Sequence, residues 1–489
     1  MTVVPAARRA LTVTGGCSGC TSGYIDPMAR ARFRDASPSY STTVRLEAPS
    51  SPHLLSDLAR STSDRGGEVV AIDLVEATVS GVRVDVTFNA IDERHVDVIA
   101  EGLRSDGYVV RNVSDRTFLS HLGGTIEVVP RSSIRTRDDL SLVYTPGVAR
   151  IARTIAAHAD TAWNLTGKGN SVAVVTDGSA VLGLGDVGPL AALPVMEGKA
   201  ALFKAFANVN AFPLCLATTD PAEIVAAVRA VAPGFGGINL EDIAAPRCFE
   251  IEATLQDVLD IPVFHDDQHG TAVVVLAGLV NACRITGRRL EDLRAVVIGI
   301  GAAGTAISKI LLDAGVSNLV AVDRHGPLDA SDPDLPAHHR EIASRSRARQ
   351  VSSVEEALAG ADLVVGVSRR GAWDPAALAK MAPDPIIFAL ANPEPEVYLD
   401  EIPPGALLAT GRSDLPNQVN NALAFPGIFR GAMDARAAHI TGRMQEAAAR
   451  AIAEAVSDAE RGIGVIVPSL FQVSVHAKVA TAVEAAAGE

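Results

Sequence analysis

The stretch Leu293-Arg-Ala-Val-Val-Ile-Gly-Ile-Gly-Ala-Ala-Gly304 narrows the possible folds more than any other part of this chain. An apolar run of strand character enters Gly299-x-Gly301-x-x-Gly304, and a helical pattern over 305–314 leaves it. A second strand, 319–322, ends on Asp323. A lone glycine triplet is a weak signal. Strand, glycine turn, helix and acid-tipped strand in this order predict a Rossmann-type dinucleotide-binding unit. Gly299, Gly301 and Gly304, with Ala302 and Ala303 between them, let backbone amides approach a pyrophosphate at the helix N-terminus. Asp323 accepts from ribose hydroxyls and so favours NAD, whereas Arg324 beside it offers a partner for the extra phosphate of NADP. NAD is the reading, NADP the alternative. Strands over 363–367 and 386–390 extend the sheet, and the latter runs into Ala391-Asn392-Pro393.

A second kind of signal lies upstream. Ile261-Pro-Val-Phe-His-Asp-Asp-Gln-His-Gly-Thr271 reads as a short strand that stops at Asp266 and Asp267, with Gly270-Thr271 opening an apolar helix over 272–280. By itself an Asp pair before a helix is a cap. However, Glu241-Asp242, in Gly-Ile-Asn-Leu-Glu-Asp-Ile, also ends an apolar run. Two acidic pairs at strand ends can divide the work of gripping a cation and orienting a base. Neighbours on a regular strand face opposite ways, so Glu241 and Asp242 reach one cation only if the backbone bends there. With Asp267 they offer three hard oxygen ligands, which suit Mg²⁺ or Mn²⁺ better than zinc. Open coordination positions would admit a chelating hydroxy- or keto-acid.

Lys199, on the helical stretch 194–203, is the candidate base, because a nearby divalent cation disfavours its ammonium form. A helix lysine is otherwise a solvated surface group. Tyr144, before Thr-Pro-Gly, is either a proton donor or a loop packing residue. The buried strand 171–177 leads into the glycine-rich turn 178–186, and strands at 213–217 and before Glu241 alternate with helices, 221–231 among them. Such alternation implies parallel pairing with crossovers.

At 489 residues the chain exceeds a single core. The expected division is an unstructured tail over 1–40, a small domain over 41–129, a substrate and metal domain over 130–287, the dinucleotide domain over 288–416, and helices over 417–489 packing back on the middle domain. Within the small domain, strands at 43–47, 68–75, 82–88 and 108–113 and helices at 53–63 and 95–103 give the order βαββαβ, a ferredoxin-like unit. It resembles the ACT regulatory domains of metabolic enzymes, which implies a small effector or a dimerisation module. In the tail, Cys17-Ser-Gly-Cys20 has metal-ligand spacing but no second Cys/His pair, so a floppy segment is the reading, with Met28 as an alternative start.

The formal charge of −14, from 43 basic and 57 acidic residues, argues against nucleic acid or an anionic membrane as partner. No uncharged apolar stretch approaches the roughly 20 residues that span a bilayer, and no basic-then-apolar segment opens the chain. Five scattered cysteines fit a reducing compartment, so a cytoplasmic location is expected.

Taken together, residues 130–440 closely resemble malic enzyme in its shorter bacterial form. The likeness rests on Ser141-Leu-Val-Tyr-Thr-Pro-Gly-Val-Ala149, Thr176-Asp-Gly-Ser-Ala-Val-Leu-Gly-Leu-Gly-Asp186, Pro194-Val-Met-Glu-Gly-Lys199, Asn239-Leu-Glu-Asp242, His265-Asp-Asp-Gln-His-Gly-Thr271, Phe388-Ala-Leu-Ala-Asn-Pro393 and Asn417-Gln-Val-Asn-Asn-Ala-Leu-Ala-Phe-Pro426. The resemblance implies metal-dependent oxidative decarboxylation of (S)-malate to pyruvate with reduction of NAD or NADP, and decarboxylation of oxaloacetate as a side activity. It implies Glu241, Asp242 and Asp267 as metal ligands and Lys199 as the base that takes the C2 hydroxyl proton. Tyr144 would protonate the enolpyruvate at C3, Asp266 would tune the Lys–Tyr pair, and Asn392 and Asn421 would contact substrate carboxylate or nicotinamide. It further implies a homodimer or larger assembly in which residues 131–140 lend groups to a neighbouring subunit. Larger relatives carry a malate-binding arginine about where Ala180 stands, so that clamp is missing here. Two rival readings are a metal-independent amino-acid dehydrogenase, for which the clustered acids have no task, and an inactive effector-binding regulator.

Overall fold

The structure, a computed structural model, describes residues 36–78, 81–392, 394–413, 415, 417–462 and 464–488. The paired cysteines Cys17 and Cys20, Met28 and most of the expected tail lie outside the described residues. Where the tail was expected to run to residue 40, a strand already begins at Ser37. The chain divides into two compact units after Leu122.

In the first unit, β1 (Ser37–Ala48), β2 (Glu68–Thr78), β3 (Gly81–Ala90) and β4 (Val109–Asp115) form an antiparallel sheet in the order β2-β3-β1-β4. Helices Leu54–Asp64 and Glu93–Ser105 follow β1 and β3. Alternation decides which face is covered. Val44 and Leu46 of β1 and Val84, Val86 and Phe88 of β3 are buried against Leu58, Ile99 and Leu103 of the two helices. The other face is polar: Arg45 pairs with Asp85 at 2.7 Å, and Glu47 receives Arg83 and Arg111. Ser37 to Tyr40 join β1 although they lack apolar periodicity, because the backbone pairs Ser37 with Ala90 across a register shift.

The second unit holds two sheets. In the first, β5 (Ser171–Thr176), β6 (Asn210–Cys215), β7 (Gly237–Leu240) and β8 (Val263–His265) run parallel in the order β6-β5-β7-β8. Every residue of β5 is buried, as a central parallel strand covered on both faces requires. In the second sheet, β9 (Arg294–Ile298), β10 (Asn318–Asp323), β12 (Leu363–Gly366), β13 (Ile386–Ala389) and β14 (Leu407–Thr410) are parallel, and the two-residue β11 (Gly326–Pro327) pairs antiparallel with β10. The resulting order, β11-β10-β9-β12-β13-β14, is the doubly wound arrangement that the glycine motif predicts. β11 and β14 escape a sequence reading because each is too short for a periodic signal.

Helix Asp266–Thr286 joins the two sheets and packs against helices Ala302–Asp313 and Gly442–Glu454. It starts six residues before the Ala272 start expected from sequence, so Asp266 and Asp267 occupy its first turn. Carboxylates there complement the positive end of the helix, and this outweighs the helix-breaking tendency of Gly270. The helix is long and apolar enough to cross a membrane, but 67% of its most apolar window is buried inside the protein, which marks a core helix. Helices Phe425–Asp434, Gly442–Glu454 and Ser474–Ala487 pack on one another and against Asp266–Thr286 and Gly188–Ala207.

Candidate active site

β7 and β8 are hydrogen-bonded neighbours, with Leu240 opposite His265. Their carboxyl ends therefore deliver Glu241-Asp242 and Asp266-Asp267 to one place, where α/β sheets bind ligands. The bend required of the first pair is present. Asp242 has φ +53°, a conformation uncommon for a residue with a side chain, so its carboxylate and that of Glu241 turn to the same side. The Asp242 N–H donates to Asp267 Oδ2 at 2.7 Å. One oxygen from each of Glu241, Asp242 and Asp267 lies within 4.8 Å of the others. Asp242 Oδ2 is buried with no hydrogen-bond partner.

Lys199 comes from the middle of helix Gly188–Ala207 and is buried. Its Nζ touches Asp266 Oδ2, lies 2.8 Å from Glu241 Oε1, and sits 4.1 Å from the ring centroid of Phe425. Asp266 fits behind it because residue 270 is glycine: a Cβ there would lie 1.8 Å from Asp266 Oδ1 and 3.2 Å from Cβ of Asn421.

Charge in this site is unbalanced, with four carboxyl groups facing one ammonium. Burial, helped by Asp267 and Glu241, pushes Asp242 up to about 8. Burial also lifts Asp266 and Asp267 to about 6, and Glu241 moves in the same direction. Burial works to lower Lys199, but Asp266, Glu241 and Asp267 outweigh it and hold the lysine above its ordinary value. The expectation of a lowered lysine therefore does not hold for the protein alone, where the carboxylates act unopposed. A cation among those oxygens would oppose that pull on the lysine. The all-oxygen set, the unpartnered Oδ2 and the raised carboxyls fit a hard divalent ion.

Several supporting residues escaped the sequence reading. Asn239 Nδ2 donates to Glu241 Oε2 at 2.8 Å. The signal was available, since residues two apart on a strand share a face. Buried Glu252 accepts from the His265 N–H at 2.8 Å, from Gln268 Nε2 at 3.0 Å and from His269 Nε2 at 3.0 Å, anchoring the helix start from behind. No local pattern marks that glutamate.

The other expected residues differ in how near they lie to this cluster. Tyr144 ends helix Arg137–Val143, is 66% exposed, and has no hydrogen bond from its hydroxyl among the described residues. The structure does not join it to Lys199 and Asp266. Asn421 abuts the Gly270 turn, beside the acidic cluster, and Asn392 follows β13 next to Gly411.

The glycine motif borders a cleft of about 1350 Å³ lined by Gly299, Gly301, Asp323, Arg324 and Ser368, among others. Gly304 is the close-packing position, because a Cβ there would meet the Gly299 carbonyl at 1.9 Å. Nothing lies within 4 Å of a Cβ at Gly301, leaving that backbone open to a ligand. Asp323 Oδ1 accepts from the His325 N–H at 2.6 Å, which fixes the carboxylate at the end of β10. Ala302 and Ala303 open helix Ala302–Asp313.

Residues 123–222 match the family model described as malic enzyme, N-terminal domain, and residues 268–399 and 402–488 match malic enzyme, NAD binding domain. An NAD-dependent malic enzyme of Geobacillus stearothermophilus is 51% identical over 448 residues, covering 91% of this chain and 94% of that protein. The chain belongs to the malic enzyme family. A bifunctional malic/malolactic enzyme of Bacillus subtilis is 48% identical over 370 residues, 75% of this chain and 90% of the relative. The crystal structure of the NAD-dependent malic enzyme of Thermotoga maritima superimposes with a TM-score of 0.73 at 48% identity, covering 76% of this chain and 99% of that one. Glu241, Asp242, Asp266 and Asp267 fall between the two matched segments, so for this malic enzyme their roles rest on the geometry above.

Proposed function

We infer that this enzyme oxidatively decarboxylates malate to pyruvate and CO₂, with NAD as hydride acceptor and Mg²⁺ or Mn²⁺ held by Glu241, Asp242 and Asp267. The observation that carries the reading is Lys199, buried in contact with Asp266 and with Glu241, one of the acids that would hold the cation. When bound, the cation would grip the hydroxy- or keto-acid and draw electrons from the C–CO₂ bond, while the nicotinamide accepts the hydride. Lys199 takes the C2 hydroxyl proton at Nζ, and Asp266 holds the resulting ammonium in place. Asn421, beside the Gly270 turn, and Asn392 are the carboxylate and amide partners. Asp323 favours NAD over NADP. A steady-state assay that follows pyruvate should give faster turnover with NAD than with NADP and none after exhaustive chelation of metal. Strong activity without metal would favour an amino-acid dehydrogenase type of chemistry instead.

Metal and proton compete for the same oxygens. Asp242 in the folded protein sits near 8, against 3.8 ordinarily, so the metal-free fold prefers it protonated. The stability that proton contributes is lost as pH rises through about 8, and a bound cation restores it. The rise in Tm produced by Mn²⁺ should therefore be small near pH 6 and grow toward pH 8.5, which differential scanning calorimetry can follow. A Tm increment independent of pH would count against metal binding at Asp242.

Tyr144 needs a cover before it can act as a proton donor. In its own unit it lies near exposed Leu142, Val143 and Val148, and Leu182, Leu184 and Leu190 are also exposed. Exposed apolar side chains in such number mark a contact surface. A second copy of the chain is the proposed cover, in a homodimer where one subunit supplies Tyr144 to the Lys199 of the other. Mixed Tyr144→Phe and Lys199→Ala proteins, after subunit exchange, should then recover up to about a quarter of wild-type activity, since random pairing rebuilds one site in half the dimers. No recovery, with exchange verified by mass, would place Tyr144 and Lys199 in the same subunit's site.

The first unit is proposed as an ACT-like regulatory module that binds a small effector. Its βαββαβ order supports this. The match to the Geobacillus stearothermophilus enzyme covers 91% of this chain, so that relative shares part of the unit before Gly123. A cytoplasmic location completes the proposal, since a reducing compartment keeps thiols such as Cys215, Cys248 and Cys283 free.

A further inference from the structure

The turn after β5 lacks the arginine that the family resemblance leads one to expect at Ala180, yet it is tied to another arginine. Asp177, whose side chain is fully buried, accepts from Arg247 Nε at 3.2 Å and Nη2 at 3.0 Å through Oδ2. Its Oδ1 accepts from the Ser179 N–H at 3.0 Å and from the Ser179 hydroxyl. Ser179 Oγ in turn accepts from the Ala244 N–H at 3.0 Å. The Ala180 N–H donates to the Asp242 carbonyl at 2.9 Å. Every one of these bonds either links the turn after β5 to the segment after β7, or orients a group that does.

That segment is where Asp242 adopts φ +53°. Left to itself, the chain would continue in extended form and send the Glu241 and Asp242 carboxylates to opposite sides. Some outside constraint must hold the turn, and the backbone groups of Asp242 and Ala244 are bonded to Ala180 and Ser179 on both sides of its midpoint. We propose that Asp177, Ser179 and Arg247 are positioning residues that hold the Glu241–Asp242 turn in the shape that brings both carboxylates to one cation. None of the three is a ligand; they act through the backbone of residues 242–244. The proposal rests on the reading of Glu241, Asp242 and Asp267 as a divalent metal site.

The chemistry explains the residue types. A buried carboxylate that accepts two guanidinium N–H bonds and two further hydrogen bonds is fully satisfied, so it is a rigid anchor. Serine fits between it and Ala244 because its hydroxyl donates to one partner and accepts from the other. Alanine at 179 keeps the volume and loses both bonds. Threonine keeps the hydroxyl.

Titration of the full-length protein with Mn²⁺, read by the electron paramagnetic resonance of the free ion, tests this directly. Partners that orient metal ligands typically contribute 10–100-fold in affinity, so Ser179→Ala and Asp177→Asn should each raise the Mn²⁺ Kd by about tenfold or more. NAD affinity, measured separately by calorimetry, should stay within about twofold, because neither Asp177 nor Ser179 lines the cofactor cleft, and Ser179→Thr should restore most of the Mn²⁺ affinity. Ser179→Ala removes a single oxygen, so it keeps the test alive if Asp177→Asn does not fold. A folded Ser179→Ala protein with wild-type Mn²⁺ affinity overturns the brace alone. Wild-type protein that takes up no Mn²⁺ removes the metal reading and the brace with it.

Discussion

Lys199→Ala should lower malate turnover by about three orders of magnitude, within the 10²–10⁴-fold range that a positioned general base contributes. The structure says why no neighbour can take over. The groups around Nζ are carboxyls and the ring of Phe425, and the carboxyls either belong to the proposed metal site or hold the lysine itself. The surrounding acids keep Lys199 protonated in the protein alone, and on the proposed reading it would become a base when positive charge joins Glu241, Asp242 and Asp267. Removing the lysine thus removes the amine whose proton affinity a cation at those acids would lower. Steady-state kcat with malate, NAD and Mn²⁺ gives the loss, and fluorescence titration should show that NAD still binds. Turnover within tenfold of wild type would mean that another base serves.

A second large effect is expected from a substitution that ordinarily helps. Within a helix, Gly→Ala gains roughly 0.5–1 kcal/mol, because alanine loses less backbone freedom. Gly270 lies in the second turn of helix Asp266–Thr286, where a new Cβ would overlap Asp266 Oδ1 at 1.8 Å. Asp266 must then swing away from Lys199, or the helix must shift and carry Asp267 with it. Misplacement of reacting groups by about 1 Å can cost 10²-fold, so Gly270→Ala should lower kcat/KM by about a hundredfold or more. Thermal stability should change little by comparison. An active Gly270→Ala enzyme would show that Asp266 is free to move without consequence, and its assigned role would fall.

What the sequence revealed and what it hid divide along one physical line. The glycine turn from Gly299 to Gly304, the alternation of Val82 to Phe88 and the acid at the end of β10 are local patterns, written within a dozen residues and legible there. The clustering of Glu241, Asp242 and Asp267 was also legible, because each acidic pair ends its own strand and parallel neighbours bring such ends together. Side chains that meet across long separations left no such trace. Asp177 and Arg247 are a pair only because β5 and β7 are adjacent, and Glu252 reaches His265 and His269 only because its helix packs beside β8. The helix start was misplaced for a related reason: glycine at 270 looked like a boundary, whereas its smallness serves Asp266. The state of Lys199 depends on four acids brought in by folding, a sum no reading of the helix alone can perform.

Helix Asp266–Thr286 has its acidic first turn at one sheet and, fifteen residues along, Asn281 fixed by bonds to the carbonyls of Ala453 and Ile466. An α-helix rotates by about 100° for each residue, so both ends are locked to a common phase. Inserting a single residue between Thr271 and Asn281 would swing Asp267 about a quarter-turn away from Glu241 and Asp242 while leaving composition and hydrophobicity almost untouched. Insertions of any small number leave an angular error, so the spacing between these two anchor points is as restrictive as the identity of the acids themselves.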